Sequence, residues 1–164
     1  MRIIFHKSKK NYEAILLALD VLDKIGSNLQ ANLKVEYLDI ERIIDFLKLF
    51  ADKCHHGKEE GYLFPVLEKK SIKKEGGPIG VMLAEYMQGS ELVGLMQESI
   101  ANKSVQKKMF IDSATSYINL LSNHIDKENA VLFPMGDARL SESEQIEYEV
   151  QGRLVLSDFP LSEF

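Results

Sequence analysis

The sequence predicts an all-α protein, an antiparallel up-down-up-down four-helix bundle with a short C-terminal extension. Four long stretches repeat apolar side chains at the spacing of three and four residues that is typical of an amphipathic helix. The connections between these stretches are of modest length, which favours antiparallel neighbours in a bundle. No convincing strand pattern is present, apart from a possible short strand in the first five residues, MRIIF.

The first two predicted helices run from about Ser8 to Ile25 and from about Val35 to Lys70. Ser8 is a candidate N-cap of the first helix, and Gly26 is the expected stop. Pro65 predicts a kink or a break in the second helix, because proline has no N–H to donate. The expected core faces consist of Tyr12, Ile15, Leu16, Leu19 and Leu22 in the first helix, and of Ile40, Ile44, Leu47, Ala51, His55, Glu59, Tyr62, Leu63 and Val66 in the second.

Gly76–Gly77–Pro78 predicts a chain reversal that leads into a third helix, which runs from about Ile79 to Asn102. The fourth helix is expected from about Val105 to Phe133. Beyond it, Ser141 and Glu144 resemble a capping box for a short extra helix. The expected core faces consist of Ile79, Met82, Tyr86 and Val93 in the third helix, and of Tyr117, Leu121, His124, Glu128 and Leu132 in the fourth. Three residues are expected to dock the remaining tail: Phe159, Leu161 and Phe164.

The length of 164 residues predicts a single domain, with a bundle over residues 8–136 and an extension over residues 137–164. The net charge of −5 and the lack of a basic stripe argue against a nucleic-acid partner. No apolar run approaches the roughly 20 residues that span a bilayer, and no secretion signal is evident. Because a single cysteine, Cys54, cannot form an internal disulfide, we expect a soluble cytoplasmic protein without a membrane partner.

A repeated motif contains the candidate metal-binding residues of the chain. The pattern H-x-x-K-E-x-x-x-L-F-P begins at His55 and again at His124, so that six of eleven positions agree at fixed spacing. A histidine and a glutamate four residues later lie on one helix face, where both can reach the same metal ion. These pairs are His55 with Glu59 and His124 with Glu128.

In both helices the pair replaces apolar residues on the face that is expected to meet the core. A buried carboxylate without a partner costs several kcal/mol, so a cation should lie against each one. Imidazole and carboxylate together suit iron or zinc. Two such pairs therefore predict a binuclear metal site, and the alternative is two His–Glu contacts that merely stabilise exposed helix faces.

Three sequence elements, HHGKEEGYLFP, GGPIGVMLAEY and HIDKENAVLFP, resemble the hemerythrin-like (HHE) cation-binding family over roughly residues 8–136. Members of that family place a histidine on helices one and three and an HxxxE motif on helices two and four. The resemblance implies a non-haem di-iron site with two iron ions per chain, which zinc or another divalent metal can replace in recombinant protein. Carried over residue by residue, it makes His55, Glu59, His124 and Glu128 metal ligands.

Tyr12 and Tyr86 stand where the family pattern has histidine, at equivalent positions of the two halves. Two interpretations stay open. Either each phenol ligates iron directly, or each is hydrogen-bonded to Glu59 or Glu128. A trivalent metal can deprotonate a phenol, and an anionic oxygen donor favours Fe(III) over Fe(II).

Three hypotheses about function follow from these residues. The first is a redox-active di-iron protein that acts with O2, peroxide or NO in redox, sensing or oxidase-type chemistry. Reversible O2 carriage is disfavoured, because it needs an accessible diferrous state. The second hypothesis is iron binding or storage without turnover, and the third is a metal-stabilised scaffold for a protein partner that the sequence does not identify.

Four further residues are given ordinary roles. His56 and Glu60 follow the two candidate ligands by one position, about 100° around the helix, and are expected to face solvent. Cys54 is expected to pack against a neighbouring helix rather than to act in redox chemistry. His6 is expected to be a surface residue.

Overall fold

All regular secondary structure in the described part of the chain is helical, which confirms the predicted all-α class. This computed structural model describes the backbone of residues 3–157 and the side chains of residues 12–49 and 55–151. The possible strand in MRIIF is wrong, because the first helix already begins at Ile3. None of the helices in this part is long and apolar enough to cross a membrane.

Helix α1 spans Ile3–Gln30 and is longer at both ends than the sequence predicted. Ser8 lies inside the helix, so its expected role as N-cap is wrong. Gly26 does not end the helix either. A glycine inside a helix costs only about 1 kcal/mol relative to alanine. The buried side chains of Ile25 and Leu29 on either side of it contribute more than that to packing.

The second long helix has four consecutive parts. Helix α2 (Tyr37–Phe46) leads into a first π-helical segment (Leu47–His56). After residues 57–58, a second π-helical segment (Glu59–Leu63) leads into α3 (Phe64–Lys69). The helical conformation is unbroken over residues 37–69. The break that was one alternative at Pro65 is therefore wrong, and the kink that was the other stays a prediction.

Each proline of the repeated motif follows a π-helical turn that allows the helix to continue. Proline lacks an N–H and crowds the carbonyl group four residues earlier, which strains a regular α-helix. Just before Pro65, the N–H of Phe64 donates to the carbonyl of Glu59, five residues earlier, as is typical of a π turn. The N–H of Phe133 donates to the carbonyl of Glu128 in the same way. The wider turn therefore precedes both prolines.

The third helix, α4, spans Pro78–Ser99 and begins as predicted after a glycine turn. Gly76 has a φ of +65°, which favours glycine. A Cβ atom on Gly77 would lie 2.2 Å from the carbonyl oxygen of Lys73. The helix ends three residues before the predicted Asn102, and a 3-10 turn at Ala101–Lys103 follows.

The fourth long helix consists of α5 (Lys107–Lys127), a third π-helical segment (Glu128–Leu132) and α6 (Phe133–Arg139). It therefore continues past the predicted end at Phe133, because the π turn accommodates Pro134.

Helix α7 spans Glu142–Ser157 and carries the predicted capping box. The backbone N–H and the hydroxyl of Ser141 both donate to Oε2 of Glu144, at 2.8 and 2.9 Å. The ammonium of Lys58 lies 4.4 Å from the ring centre of Tyr148, which joins α7 to the second long helix beside the repeated motif. The tail residues Phe159, Leu161 and Phe164 lie outside the described residues.

The core is formed by the long helices. Helix α5 packs against α4 and α1, while α2 and the first π segment contact both α1 and α4. The predicted core faces are buried except at Val66, which is half-buried, and at two exposed positions. Leu16 is 45% exposed and Tyr62 is 37% exposed, since each lies at the edge of its face. The side chain of Ala51 lies outside the described residues.

Candidate metal centre

The structure brings the four predicted ligands of the repeated motif together in the core. Glu59 and Glu128 are fully buried, and His55 and His124 are 4% and 1% exposed. Nε2 of His55 lies 3.7 Å from Oε1 of Glu59 and 3.7 Å from Oε2 of Glu128. Nε2 of His124 lies 3.0 Å from Oε1 of Glu128. The second and fourth long helices therefore meet at these four side chains.

The π-helical turns contribute to this placement. Glu59 and Glu128 are each the first residue of a π segment, and the carbonyl oxygen of each accepts the N–H of the phenylalanine that precedes a proline. A π turn inserts one extra residue, so it rotates the side chains on either side of it relative to a regular helix. The leucine and phenylalanine of each motif consequently pack in the core, whereas both prolines are exposed. The buried residues are Leu63, Phe64, Leu132 and Phe133.

The donor atoms at this site lack hydrogen-bond partners. Nε2 of His55, Nε2 of His124, Oε1 of Glu59 and Oε1 of Glu128 are all buried without one. The 3.0 Å contact between His124 and Glu128 is not aligned as a hydrogen bond. Buried polar atoms normally find partners, and four convergent exceptions fit a group that supplies positive charge. Among the described residues, ligand atoms of His55, Glu59 and Glu128 all lie within 4.8 Å of one another. The residues present therefore fit a metal.

The two tyrosines each contact one of the buried carboxylates. The hydroxyl of Tyr12 donates to Oε2 of Glu128 at 2.7 Å, and the hydroxyl of Tyr86 donates to Oε2 of Glu59. These tyrosines come from the first and third long helices and cross to the motif of the opposite half: Tyr12 precedes the first motif in the chain but bonds to the glutamate of the second. This is the contact that the hydrogen-bonding interpretation predicts.

Residues 13–136 match the family described as the hemerythrin HHE cation binding domain. This chain belongs to the hemerythrin HHE family. The resemblance drawn from the repeated motif is thereby confirmed. The matched residues include both motifs and Tyr86, while Tyr12 lies one residue before them. Membership supports binding of a metal, and the buried His/Glu cluster agrees with it.

Proteins named "Iron-sulfur cluster repair protein YtfE" from Salmonella paratyphi B, Salmonella newport and Salmonella heidelberg are 33% identical to this chain over 86 residues. The similarity covers 49% of this chain and 39% of each relative. The alignment thus spans about two fifths of the length of these relatives. No solved structure matched the chain.

The two carboxyl groups of this hemerythrin-like site differ in protonation. Burial and the neighbouring charge of Glu128 raise the pKa of Glu59 to about 8. Burial also acts to raise the pKa of Glu128, but the close imidazoles of His124 and His55 outweigh it and hold that pKa well below its usual range. Without a metal, Glu59 therefore carries a proton at neutral pH and Glu128 is ionised.

The imidazoles and phenols respond to the same two carboxyl groups. Burial acts to lower the pKa of His124, but the close contact with the charged carboxylate of Glu128 raises it to about 9. Burial acts to lower the pKa of His55 as well, but the adjacent carboxyl groups of Glu59 and Glu128 outweigh burial and raise it. Burial and the neighbouring carboxyl groups raise the pKa of both tyrosines, so without a metal each phenol stays protonated and donates a hydrogen bond.

His56 is a third buried histidine, so its expected exposure to solvent is wrong. It is 4% exposed, and its ring stacks on Tyr86 with centres 3.8 Å apart and planes 16° apart. Burial and the charges of His55 and His124 hold its pKa well below the usual range. His56 ends the first π segment, where the altered rotation per residue turns two successive histidines toward the core. Glu60 is exposed as expected.

Glu85, which directly precedes Tyr86, was given no role from the sequence. Its Oε2 lies 2.8 Å from Nδ1 of His124, and its other oxygen accepts a contact from the ammonium of Lys127. The only signal in the sequence for this contact is that Glu85 adjoins Tyr86, a residue of the predicted core face. The side chains of Cys54 and His6 lie outside the described residues.

Proposed function

We propose that this chain is a non-haem di-iron protein that acts with O2, peroxide or NO in redox, sensing or oxidase-type chemistry. The observation that carries the proposal is the convergence of two His–Glu pairs whose inward donor atoms have no hydrogen-bond partner. His55, Glu59, His124 and Glu128 would hold the metal, and a bound iron pair would supply one-electron redox chemistry. Family membership and the name of the relatives favour iron over zinc.

The scaffold of this site is proposed to be one antiparallel four-helix bundle in a single domain. The long helices Ile3–Gln30, 37–69, Pro78–Ser99 and 107–139 contact one another in a ring, each touching the helix before it and the helix after it. Their connections are short, which favours antiparallel neighbours. A bundle of this kind holds metal ligands on facing helices.

The tyrosines are the feature that sets this site apart from the family pattern. Each phenol oxygen already lies against one of the carboxylates, so either could reach a metal by releasing its proton. We propose that Tyr12 and Tyr86 join the ligand set when iron is oxidised. Anionic oxygen donors favour Fe(III), so the protein would be suited to react with oxidants rather than to carry O2 reversibly.

A surface cavity offers a route for a small molecule. Its volume is about 1130 Å³, and Tyr86 forms part of its wall. Apolar side chains, among them Val81, Leu83, Ala84 and Met87, line the approach. A small uncharged molecule such as O2 or NO can enter such an apolar space without losing strong hydrogen bonds. The cavity therefore supports a small-molecule partner.

The first test is iron reconstitution under anaerobic conditions, followed by metal analysis and visible spectroscopy. We expect about two iron ions per chain. Glu59→Gln should lower the iron content by at least half, whereas Glu60→Gln, which changes the exposed neighbouring residue, should leave it unchanged. His55→Ala and His124→Ala should each also remove at least half. Full iron content in both histidine variants would contradict the assignment of the site.

The oxidised protein should also absorb in the visible range if the phenols ligate iron, because a phenolate donates charge to Fe(III). Tyr12→Phe and Tyr86→Phe should each weaken that colour, and the double variant should abolish it. Reduction should bleach the wild type, since Fe(II) is the weaker acceptor. A colourless Fe(III) form of the wild type would leave the phenols as hydrogen-bond donors to Glu128 and Glu59.

A second candidate function is the handling of iron without turnover. The similarity to proteins named for iron–sulfur cluster repair favours it, although it covers 39% of their length. The test is to mix the iron-loaded chain with a protein whose iron–sulfur cluster has lost iron. Transfer of isotopically labelled iron into that cluster, absent when Glu59→Gln is used, would favour this candidate over oxidant chemistry.

A further inference from the structure

Glu85 forms a chain of contacts from the buried site to the surface. His124 is 1% exposed, the side chain of Glu85 is 13% exposed, and that of Lys127 is 46% exposed. Oε2 of Glu85 lies 2.8 Å from Nδ1 of His124, while Oε1 contacts the ammonium of Lys127. Glu85 comes from α4 and the other two residues from α5, so the contact joins two helices that pack along their length.

This contact determines which nitrogen of His124 carries a hydrogen. An ionised carboxylate can only accept, so Nδ1 of His124 must be the donor. In a neutral imidazole the other nitrogen, Nε2, then holds a free lone pair. That atom is the one that points at Glu128, 3.0 Å from Oε1, and lacks a hydrogen-bond partner. The carboxylate therefore presents His124 in the form that a metal requires.

The other half of the chain carries a different residue at the equivalent position. In the pseudo-repeat, Glu85 precedes Tyr86 as Asn11 precedes Tyr12, so the equivalent position holds a neutral amide. A carboxylate behind an imidazole makes the ligand more basic and orients its ring, and an amide cannot supply that charge. Among the described residues, a carboxylate contacts Nδ1 of His124, whereas the ion pairs of His55 involve its Nε2 alone.

We propose that Glu85 is a positioning residue, which fixes the Nδ1–H form of His124 and makes the half-site of His124 the tighter of two unequal metal sites. The inference rests on the proposed metal binding and deepens it. Metal should enter the half-site of His124 first, and the half-site of His55 should fill at higher metal concentration.

The test uses zinc as a diamagnetic probe and compares variants of the full chain. Wild-type protein should bind zinc in two steps of unequal affinity. Glu85→Gln keeps an oxygen that can accept from Nδ1 but removes the charge, and Glu85→Leu removes both. Loss of a carboxylate behind a metal-binding histidine typically lowers metal affinity by about 10- to 100-fold. The zinc affinity of the tighter step should therefore fall by that factor, and it should fall more in Glu85→Leu than in Glu85→Gln. Glu98→Gln, which changes an exposed glutamate on the same helix, is the matched control.

A second readout separates positioning from a general loss of stability. In ¹⁵N-edited spectra of zinc-loaded wild type, Nδ1 of His124 should carry a hydrogen that exchanges slowly with water. Glu85→Gln should shift that resonance, and Glu85→Leu should make its exchange fast, while the Glu98→Gln spectrum stays unchanged. A wild type that binds no zinc and no iron would overturn the proposed function. A wild type that binds metal with the same affinities as both Glu85 variants would overturn only this inference.

Discussion

Replacing Tyr12 by phenylalanine tests whether its hydroxyl stabilises the buried carboxylate of Glu128. The substitution removes one oxygen and leaves the ring, so it opens almost no cavity. Tyr12 is 4% exposed, and its 2.7 Å hydrogen bond goes to a carboxylate that is fully buried and ionised. Hydrogen bonds to charged groups contribute about 1.5–3 kcal/mol, and the loss leaves a buried acceptor unsatisfied. We expect the free energy of unfolding of the metal-free protein to fall by that amount.

For a chain of this size, each kcal/mol corresponds to about 2–4 °C in melting temperature, so the variant should melt about 3–12 °C lower. Tyr37→Phe is the matched control, because its hydroxyl donates at 2.9 Å to the neutral carbonyl of Ile100 in a half-buried position. It should cost about 0.5–1.5 kcal/mol. Tyr62→Phe changes an exposed tyrosine and should stay within about 0.5 kcal/mol of wild type.

The assay is urea unfolding of protein stripped with a chelator, followed by circular dichroism. The dependence of the unfolding free energy on urea should be unchanged among the variants, since all unfold the same surface. Metal loading adds a second comparison. If iron replaces the hydrogen bond to Glu128, the gap between wild type and Tyr12→Phe should shrink on loading. If the phenol ligates iron, the gap should widen. Metal-free Tyr12→Phe that is as stable as Tyr62→Phe would refute the reasoning.

Three further outcomes are expected. First, metal binding at pH 7 should release protons, because the pKa values of about 8 for Glu59 and about 9 for His124 mean that both hold a proton in the metal-free protein. Metal affinity should therefore fall as the pH falls through 9 and 8. In a pH-indicator titration, wild type should release two more protons than the Tyr12/Tyr86 double phenylalanine variant only if both phenols ligate. Second, Ala84→Trp should fill the cavity beside Tyr86 and slow the binding of NO to the iron-loaded protein in stopped-flow measurements; equal rates would exclude that route. Third, Ser141→Ala should cost about 0.5–2 kcal/mol by removing the cap of α7, and an unchanged urea midpoint would mean that α7 unfolds separately from the core.

The position of His56 illustrates where prediction from sequence failed. A regular helix turns each side chain about 100° from the last, which placed His56 away from His55 and toward solvent. The first π segment changes that rotation over Leu47–His56, and no proline or glycine in those ten residues marks it in the sequence. The two later π turns could have been foreseen, because Pro65 and Pro134 each follow them.

The sequence by itself determined the all-helical class, the family and the four residues of the paired motifs. It could do so because a spacing of four residues places a histidine and a glutamate on one helix face in any context. It also identified the two tyrosines by their equivalent positions in the two halves. Only the tertiary structure decided what those residues touch. The contacts from Tyr12 to Glu128 and from Glu85 to His124 join residues 116 and 39 positions apart. Such contacts depend on how helices pack and rotate against one another, which local periodicity does not encode.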